Sequence, residues 1–544
     1  MSRVNTELCY QIVKEYYGEI VANVASFLIR SKSSSLGVIV QRTCYDSKQV
    51  KQALLTLIKQ NIVTFSQTKS GSIEYTAKPE AILWILRFPN YIHCAKTLFG
   101  DAAELLVEEL LLQGQTYLGS AVVKTTNKLN ESLGSSGSNL SEISQSLIRD
   151  KAVLLVKARL IRRCEDVILG KSGQFGVAVS EVIEPEQLFL LPTAIDFETS
   201  PGLKRPASDN MESKAKRIKL EAGEANEQEE NKVHKSQGPG YWRVNVYQFH
   251  HHFRDQVIIA AVAKNIDQRA SEVMRTMLRL SETRSNPLSL ESEPLSFTEI
   301  SNAMPKDKIL QKNMLDQYLK CLSDNCYNFV TKVGESGGGL YQINILLTIK
   351  AICVSHIETI VLERFGSKAL RMFRVLLTDK QVEQKQVEEQ AMLPPKEAKE
   401  LLYKMFAENF ITLTELSKTP DHAPTRTFYF FNVSLIQVSR MILERCYQAI
   451  TNMMVRRHKC LSENKRLLDK QDRVEAIIAS LDAEGATEQK EEVEQMVTPS
   501  EKAQLKKISD ATKTLELSEI QLDQTIFILE TYLSYTLHPP EVKK

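Results

Sequence analysis

Three stretches of the chain share one succession of apolar and polar positions. In 50–77, apolar residues recur at helical spacing (Val50, Ala53, Leu54, Leu57, Ile58). Asn61 follows, then two β-rich runs around a polar tip. In 315–345 the helical set is Leu315, Tyr318, Leu319 and Leu322, followed by Asn325 and the tip Glu335-Ser336-Gly337-Gly338-Gly339. In 398–433 it is Leu401, Leu402, Met405 and Phe406, followed by Asn409 and a tip over 417–426. A helix that feeds directly into a β-hairpin is the second half of a winged helix-turn-helix. That module uses both helix and hairpin to touch nucleic acid or another protein.

The same pattern sets the organisation. A first module, 1–78, reads as a long helix from Glu7 to Arg30, a short helix Leu36–Thr43, and a third helix capped by Asp46 and running to Gln60. Strands Ile62–Gln67 and Ser72–Ala77 close it. A second, 79–194, reads as helices Glu80–Arg87, Asn90–Leu98, Asp101–Gln113, Leu118–Ser132 and Leu140–Arg149, with strands Val153–Ala158 and Gln187–Leu191. From 195 to 240 periodicity stops. Glu, Lys, Ser and Asn cannot bury enough surface to offset ordering entropy, so a disordered linker is expected. A third module, 241–345, opens with Tyr241-Trp242 and carries helices Val246–Lys264, Asp267–Ser281, Ser296–Ala303 and Leu310–Asp324. A fourth, 346–433, carries Leu346–Phe365, Lys368–Thr378, Gln381–Gln390 and Pro395–Asn409. Over 434–544, Leu443, Tyr447, Ile450, Met454, Leu461 and Leu468 keep a heptad spacing. So do Leu505, Ile508, Thr512, Leu515, Leu522, Ile526, Leu529 and Leu533. The expected fold is mainly α with small β-hairpins: four tandem winged helices and a C-terminal antiparallel coiled coil.

Composition changes this picture only in part. The 544 residues are 43% apolar and 25% charged, with a formal net charge of +2, too balanced for a domain living by autonomous duplex binding. Nine cysteines with no CxxC pair point to a reducing compartment, and Cys321 and Cys326 read as buried thiols. The most apolar run, Val257–Ala263, is too short to span a bilayer. The chain is therefore expected to be soluble and intracellular.

Candidate chemistry is cationic. Lys48, Lys51 and Gln52, with Lys59 beyond, share a face of the first module's third helix. Lys396, Lys399 and Lys404 do so in the fourth, and Lys312 and Lys320 mark the third. Lys157, Arg159, Arg162 and Arg163 are the densest cations of the second. Phosphate contact and an ordinary solvated helix face are both open for them. Within the linker, Lys204, Arg205, Lys214, Lys216, Arg217 and Lys219 form a run suited to an import receptor's acidic grooves, or a solvated loop. Phe249-His250-His251-His252-Phe253 reads as a polar helix face, because consecutive helical histidines diverge by about 100° and cannot converge on one ion. Gly334–Gly339 lacks the Lys and Ser/Thr of a phosphate loop and reads as a wing tip. No catalytic constellation and no cofactor or metal site is found.

Longer segments carry a resemblance. YYGEIVANVASFLIR, KTLFGDAAELLVEELLLQG, FHHHFRDQVIIAAVA, ESGGGLYQINI, ERFGSKALRMFRVLL and SEIQLDQTIFILETYL are similar to the winged-helix subunit family of eukaryotic RNA polymerase III called the third C-type subunit. That family also resembles TFIIE alpha, whose zinc ribbon has no counterpart among these cysteines. The resemblance implies extended winged helices and a non-catalytic subunit. It further implies two smaller partners in an initiation heterotrimer, seating on the clamp, and recruitment to TFIIIB-bound promoters. Contact with opened or single-stranded DNA, a nuclear location, a share in cytosolic DNA sensing and no membrane role also follow. A freestanding winged-helix transcription factor and a pure interaction scaffold remain as alternatives.

Overall fold

The computed structural model describes residues 2–67, 71–135, 145–164, 167–169, 175–177, 188–197, 240–282, 284, 289–304, 312–325, 327–417, 427–484, 493 and 496–537. The chain forms two compact units, one of residues 16–249 and one of residues 1–15 with 250–544.

The long helix expected at the start is two helices, α1 (Arg3–Tyr17), most of which belongs to the other unit, and α2 (Glu19–Ser31), which lies in the 16–249 unit. Gly18 lies between them at φ 89. The same break recurs at Gly100 (φ 89) between α6 (Phe88–Phe99) and α7 (Asp101–Gln113). A Cβ at either glycine would meet nothing within 4 Å, so the constraint is the left-handed backbone itself. Strand β1 (Ser33–Ser35), helices α3 (Leu36–Thr43) and α4 (Ser47–Lys59), and the hairpin β2 (Val63–Gln67) and β3 (Ile73–Ala77) complete the first winged helix. Its core is Ala22, Val24, Leu28, Ile39, Val50, Leu54 and Leu57. Asp46 stands at the N-cap position of α4, but its side chain makes no capping bond.

The second winged helix departs most from the sequence reading. Helix α5 (Pro79–Leu83) passes through a 3-10 turn at Trp84–Arg87 into α6 and α7. Strand β4 (Thr116–Tyr117), α8 (Leu118–Ser135) and α9 (Gln145–Lys157) follow. Val153–Ala158, expected as a strand, belongs to α9 and the residue after it. Its apolar run is the buried face of that helix (Ile148, Ala152, Leu155, Val156). Gln187–Leu191 forms no strand among the described residues. Strand β5 (Ile161–Arg163) precedes a small hairpin, β6 (Val167–Leu169) and β7 (Phe175–Val177). Strand β8 (Tyr241–Val244), expected to open the third module, pairs with β4 and β5. It buries Trp242, and that large apolar anchor explains why it stays with this sheet.

In the other unit, α10 (Val246–Asn265), α11 (Gln268–Glu282), β9 (Leu295–Ser296), α12 (Phe297–Ala303), α13 (Lys312–Asp324), β10 (Val330–Gly334) and β11 (Leu340–Ile343) form the third winged helix. Ser296 and Glu299 make a reciprocal capping box on α12. The fourth comprises α14 (Ile345–Phe365), α15 (Ser367–Thr378), β12 (Val382–Glu383), α16 (Gln384–Ala391), α17 (Pro395–Ala407), β13 (Thr412–Ser417) and β14 (Thr427–Asn432). The four three-stranded sheets repeat one order, short strand, second long strand, first long strand: β1-β3-β2, β4-β8-β5, β9-β11-β10, β12-β14-β13. Among the described residues, helix α14, rather than Val257–Ala263, is long and apolar enough to cross a membrane by length and composition. It packs on α15, and its Cys353 meets Ser439 of the helix Leu435–Glu463 that follows the fourth sheet.

The C-terminal helices are α18 (Leu435–Glu463), α19 (Lys465–Glu484) and α20 (Pro499–Leu537). Tyr447–Glu530, Arg457–Glu519 and Lys470–Glu501 contacts run in opposite chain directions, so the pair is antiparallel. Of the first heptad set, Tyr447, Ile450 and Met454 are buried, Leu443 and Leu468 are half-buried, and Leu461 is exposed. Beyond Met454 fewer apolar partners remain, and the first arm breaks at Asn464. His250 and Phe253 pack edge-on against Phe527 of α20. The histidine tract is thus half-buried rather than a polar face, and burial with Arg254 nearby pushes His251 down to about 4. Cys321 is exposed, because it sits off the buried Leu315–Leu319–Leu322 face of α13. Cys326 lies outside the described residues.

Candidate nucleic-acid interface

Each winged helix presents its third helix and the turn behind it. In α4 the turn is closed by Asn61 at φ 57, with Asn61 N–H donating to Ile58 O and Ile62 N–H to Leu57 O. Asn409 after α17 (φ 64) repeats this on Phe406 O and Met405 O. Arg159 after α9 (φ 58) does so on Val156 O and Leu155 O. Asn tolerates the left-handed region because its short amide bonds locally. Arg at the same place hid the second module's helix end from sequence reading. In the third module the left-handed residue is Asn328 (φ 48), not Asn325.

That common frame aligns the helix faces. Val50, Ala53, Leu54 and Leu57 are buried in α4, leaving Lys48, Lys51, Gln52 and Lys59 exposed. Ala398, Leu402 and Met405 are buried in α17, leaving Lys396, Lys399 and Lys404 exposed. The two helices read K-Q-V-K-Q-A-L-L-T-L-I from Lys48 and K-E-A-K-E-L-L-Y-K-M-F from Lys396. On α13 the positions equivalent to Lys48 and Lys51 hold Asn313 and Asp316, and Lys320 pairs with Asp316 at 2.7 Å. Its wing is neutralised in the same way by Lys332 and Glu335. Lys312 lies on α13, but its side chain is outside the described residues. In the second module Lys157 is exposed, Arg162 and Arg163 are half-buried, and the Arg159 guanidinium lies 5.6 Å from the Phe189 ring centre. The linker cations Lys204, Arg205, Lys214, Lys216, Arg217 and Lys219 lie outside the described residues.

The end of α4 is held firmly. Gln115 N–H donates to Lys59 O at 3.0 Å, and Gln60 Nε2 donates to Leu112 O at 2.9 Å. Gly114 (φ 73) lets the two backbones meet, since a Cβ there would lie 2.3 Å from Lys59 O. A cavity of about 70 Å³ opens beside this joint, lined by Trp84, Phe88, Leu110, Tyr247 and Arg162 among others. Sequence reasoning missed this joint, although a glycine directly after a helix was its signal. Among the described residues, no arrangement of nucleophile, base and acid accompanies the lysine faces. They can offer ammonium groups to phosphates and little base-edge recognition.

Comparison with known proteins places this geometry. Family models for the RNA polymerase III subunit RPC82 helix-turn-helix domain, RPC82 itself, the POLR3C C-terminal winged-helix domain and the RPC3 helical hairpin match residues 7–68, 191–350, 357–433 and 466–528. The chain is 41% identical to the DNA-directed RNA polymerase III subunit RPC3 of Homo sapiens, over 99% of both chains. The chain belongs to the RPC3 family. To the RPC3 subunit of Danio rerio it is 37% identical, over 98% of this chain and 99% of that one. The RPC3 hairpin model falls on the α19–α20 pair, and the winged-helix models bracket α4 and α17.

Proposed function

We propose that the chain is a non-catalytic subunit of RNA polymerase III. Its partners are the other polymerase subunits, above all two smaller members of an initiation heterotrimer and the clamp. It helps bring polymerase to TFIIIB-bound promoters of transfer RNA, 5S ribosomal RNA and other small RNA genes, and supports opening of the DNA. The nucleotidyl-transfer site lies on other subunits, and the chain needs no cofactor. It works in the nucleus, with the 204–219 cations as import signal. A cytosolic pool sensing DNA fits the same surface, because backbone contacts are blind to sequence.

The observation that carries the DNA reading is the repeated exposed lysine pair, Lys48/Lys51 and Lys396/Lys399, on helices whose opposite faces fill module cores. Neutralised α13 favours protein contact for the third module.

The test is binding of the heterotrimer to a promoter duplex with an unpaired central stretch, titrated with salt. Each lysine on a phosphate contributes about 0.9 to the log–log salt slope. Lys48→Glu with Lys51→Glu should lower the slope by about 2 and weaken binding at least tenfold. An unchanged slope and affinity would make these lysines a solvated face.

A further inference from the structure

The cavity beside the α4 joint combines positive charge with apolar walls. Its described lining includes Lys59, Arg162 and Arg243 and no Asp or Glu. Arg162 on β5 stands directly opposite Arg243 on β8, and like charges so placed repel across a sheet. Two neighbouring guanidiniums also present the forked donors that match an anion with paired oxygens. Much of the remaining wall is apolar. Trp84 and Tyr247 line it with their rings edge-on at 5.4 Å, and Ala81 lies in the same lining. Tyr247 is 55% exposed and Arg162 half-buried, so both reach solvent from the cavity wall.

Size then chooses among anions. At about 70 Å³ the cavity has about half the roughly 150 Å³ of one that takes benzene. It therefore admits an aliphatic side chain and excludes an aromatic ring or a nucleobase. The negative charge has to lie close to that side chain, because the cations line the same small space. Along an extended peptide, successive side chains point to opposite faces, and neighbours on one face stand about 6–7 Å apart. A carboxyl-terminal residue is different, since its carboxylate and its side chain leave the same Cα.

The geometry points to this cavity as a docking site for the carboxyl terminus of a partner protein, with a terminal leucine, isoleucine or valine side chain inside and the terminal carboxylate on Arg162 and Arg243. Capture of a chain end by its charge is an established mode of peptide recognition. The α4 side of the site is already fixed by the bonds from Gln115 to Lys59 O and from Gln60 to Leu112 O, so docking orders little of the chain. The site is independent of the DNA reading, because Lys48 and Lys51 do not line it.

The experiment uses the full chain and fluorescein-labelled octapeptides of Gly and Ser that differ in their last residue. The peptide ending in leucine with a free carboxylate should bind, read by anisotropy and by a change in tryptophan fluorescence. Of the chain's two tryptophans, Trp84 lines the cavity and Trp242 is buried in β8, so the fluorescence change should vanish in Trp84→Phe. An amide-capped copy should bind about tenfold more weakly or worse, because a charge-assisted bond is lost. A copy ending in glycine should lose about as much through its missing side chain, and one ending in tryptophan should not bind. Arg162→Gln should abolish the preference for acid over amide. Ala81→Leu fills the space and should abolish the preference for leucine over glycine. Thermal melting checks that both variants fold, and the peptide comparisons on the parent chain decide the matter without them. Equal binding of acid and amide, equal binding of leucine and glycine ends, or no binding of any peptide at about 1 mM overturns the inference. An amide-capped peptide with internal aspartate and leucine that matches the free acid overturns it too, and makes the cavity a site for acidic stretches.

Discussion

Glu519 offers a sharp test of how the C-terminal helices are held. Arg457 on α18 reaches three carboxylates: Glu15 at 2.9 Å, Glu519 at 3.1 Å and Glu516 at 3.7 Å. Arg457 is 13% and Glu519 11% exposed, and Glu519 Oε1 is buried with no hydrogen-bond partner among the described residues. Burial pushes the Glu519 carboxyl up to about 7; Arg457 opposes the rise, and Glu15 and Glu516 add to it. The folded state holds this proton where the unfolded chain, at the ordinary value of 4.5, has lost it. Stability therefore falls as pH rises through the window from 4.5 to 7. Between pH 6 and pH 8 the loss is about 1.3 kcal/mol, roughly tenfold in the local opening constant. Hydrogen exchange of peptides covering 451–463 and 512–524, corrected for intrinsic rates, reads that opening. Parent protein should open more readily at pH 8 than at pH 6, and Glu519→Gln should flatten the difference and protect the region at pH 8. If Glu519→Gln keeps the parent's pH dependence, the carboxyl is not the group that titrates.

Other outcomes follow from single contacts. Gly114→Ala places a methyl against Lys59 O and strains a left-handed residue. It should cost the 16–249 unit about 3 kcal/mol, seen as roughly 6–12 °C in its melting, while Gly37→Ala, with nothing within 4 Å, should not destabilise it. Replacing Lys214, Lys216, Arg217 and Lys219 by Ala should move a tagged free subunit toward the cytoplasm, and unchanged nuclear signal in cells lacking its partners would refute the import reading. Asn409→Val should destabilise the fourth module by about 1–2 kcal/mol, because a β-branched residue resists the left-handed region; equal denaturant midpoints would show the turn is not under that constraint.

Much of the architecture was readable because winged helices advertise themselves locally. The helix-to-hairpin signature gave α4, α13 and α17 nearly residue by residue, since their buried positions recur with a clean helical period. The heptads likewise announced α18 and α20. Three features were not legible, each for its own reason. The Gly18 break sits inside an uninterrupted apolar period, and only its backbone angle ends the helix. Val153–Val156 satisfies strand and helix patterns alike, and the arbiter, a left-handed Arg159, carries no sequence signature. Pairing of Tyr241–Val244 with Thr116–Tyr117 is a long-range choice made by burial of Trp242, which no local window contains. The lysine faces were visible as charge, but their meaning needed the structure. It showed Lys320 tied to Asp316, and Tyr403 edge-on to Phe431 of the wing.

Strand β8 (Tyr241–Val244) pairs with β5 (Ile161–Arg163), so main-chain bonds join residues on either side of the 198–239 stretch. A protease that cuts inside it does not release anything, because the severed pieces stay zipped by main-chain bonds around Trp242. Two separately synthesised polypeptides meeting at that point could rebuild the subunit. Residues added between 198 and 239 would leave the β5–β8 pairing on either side of them unchanged.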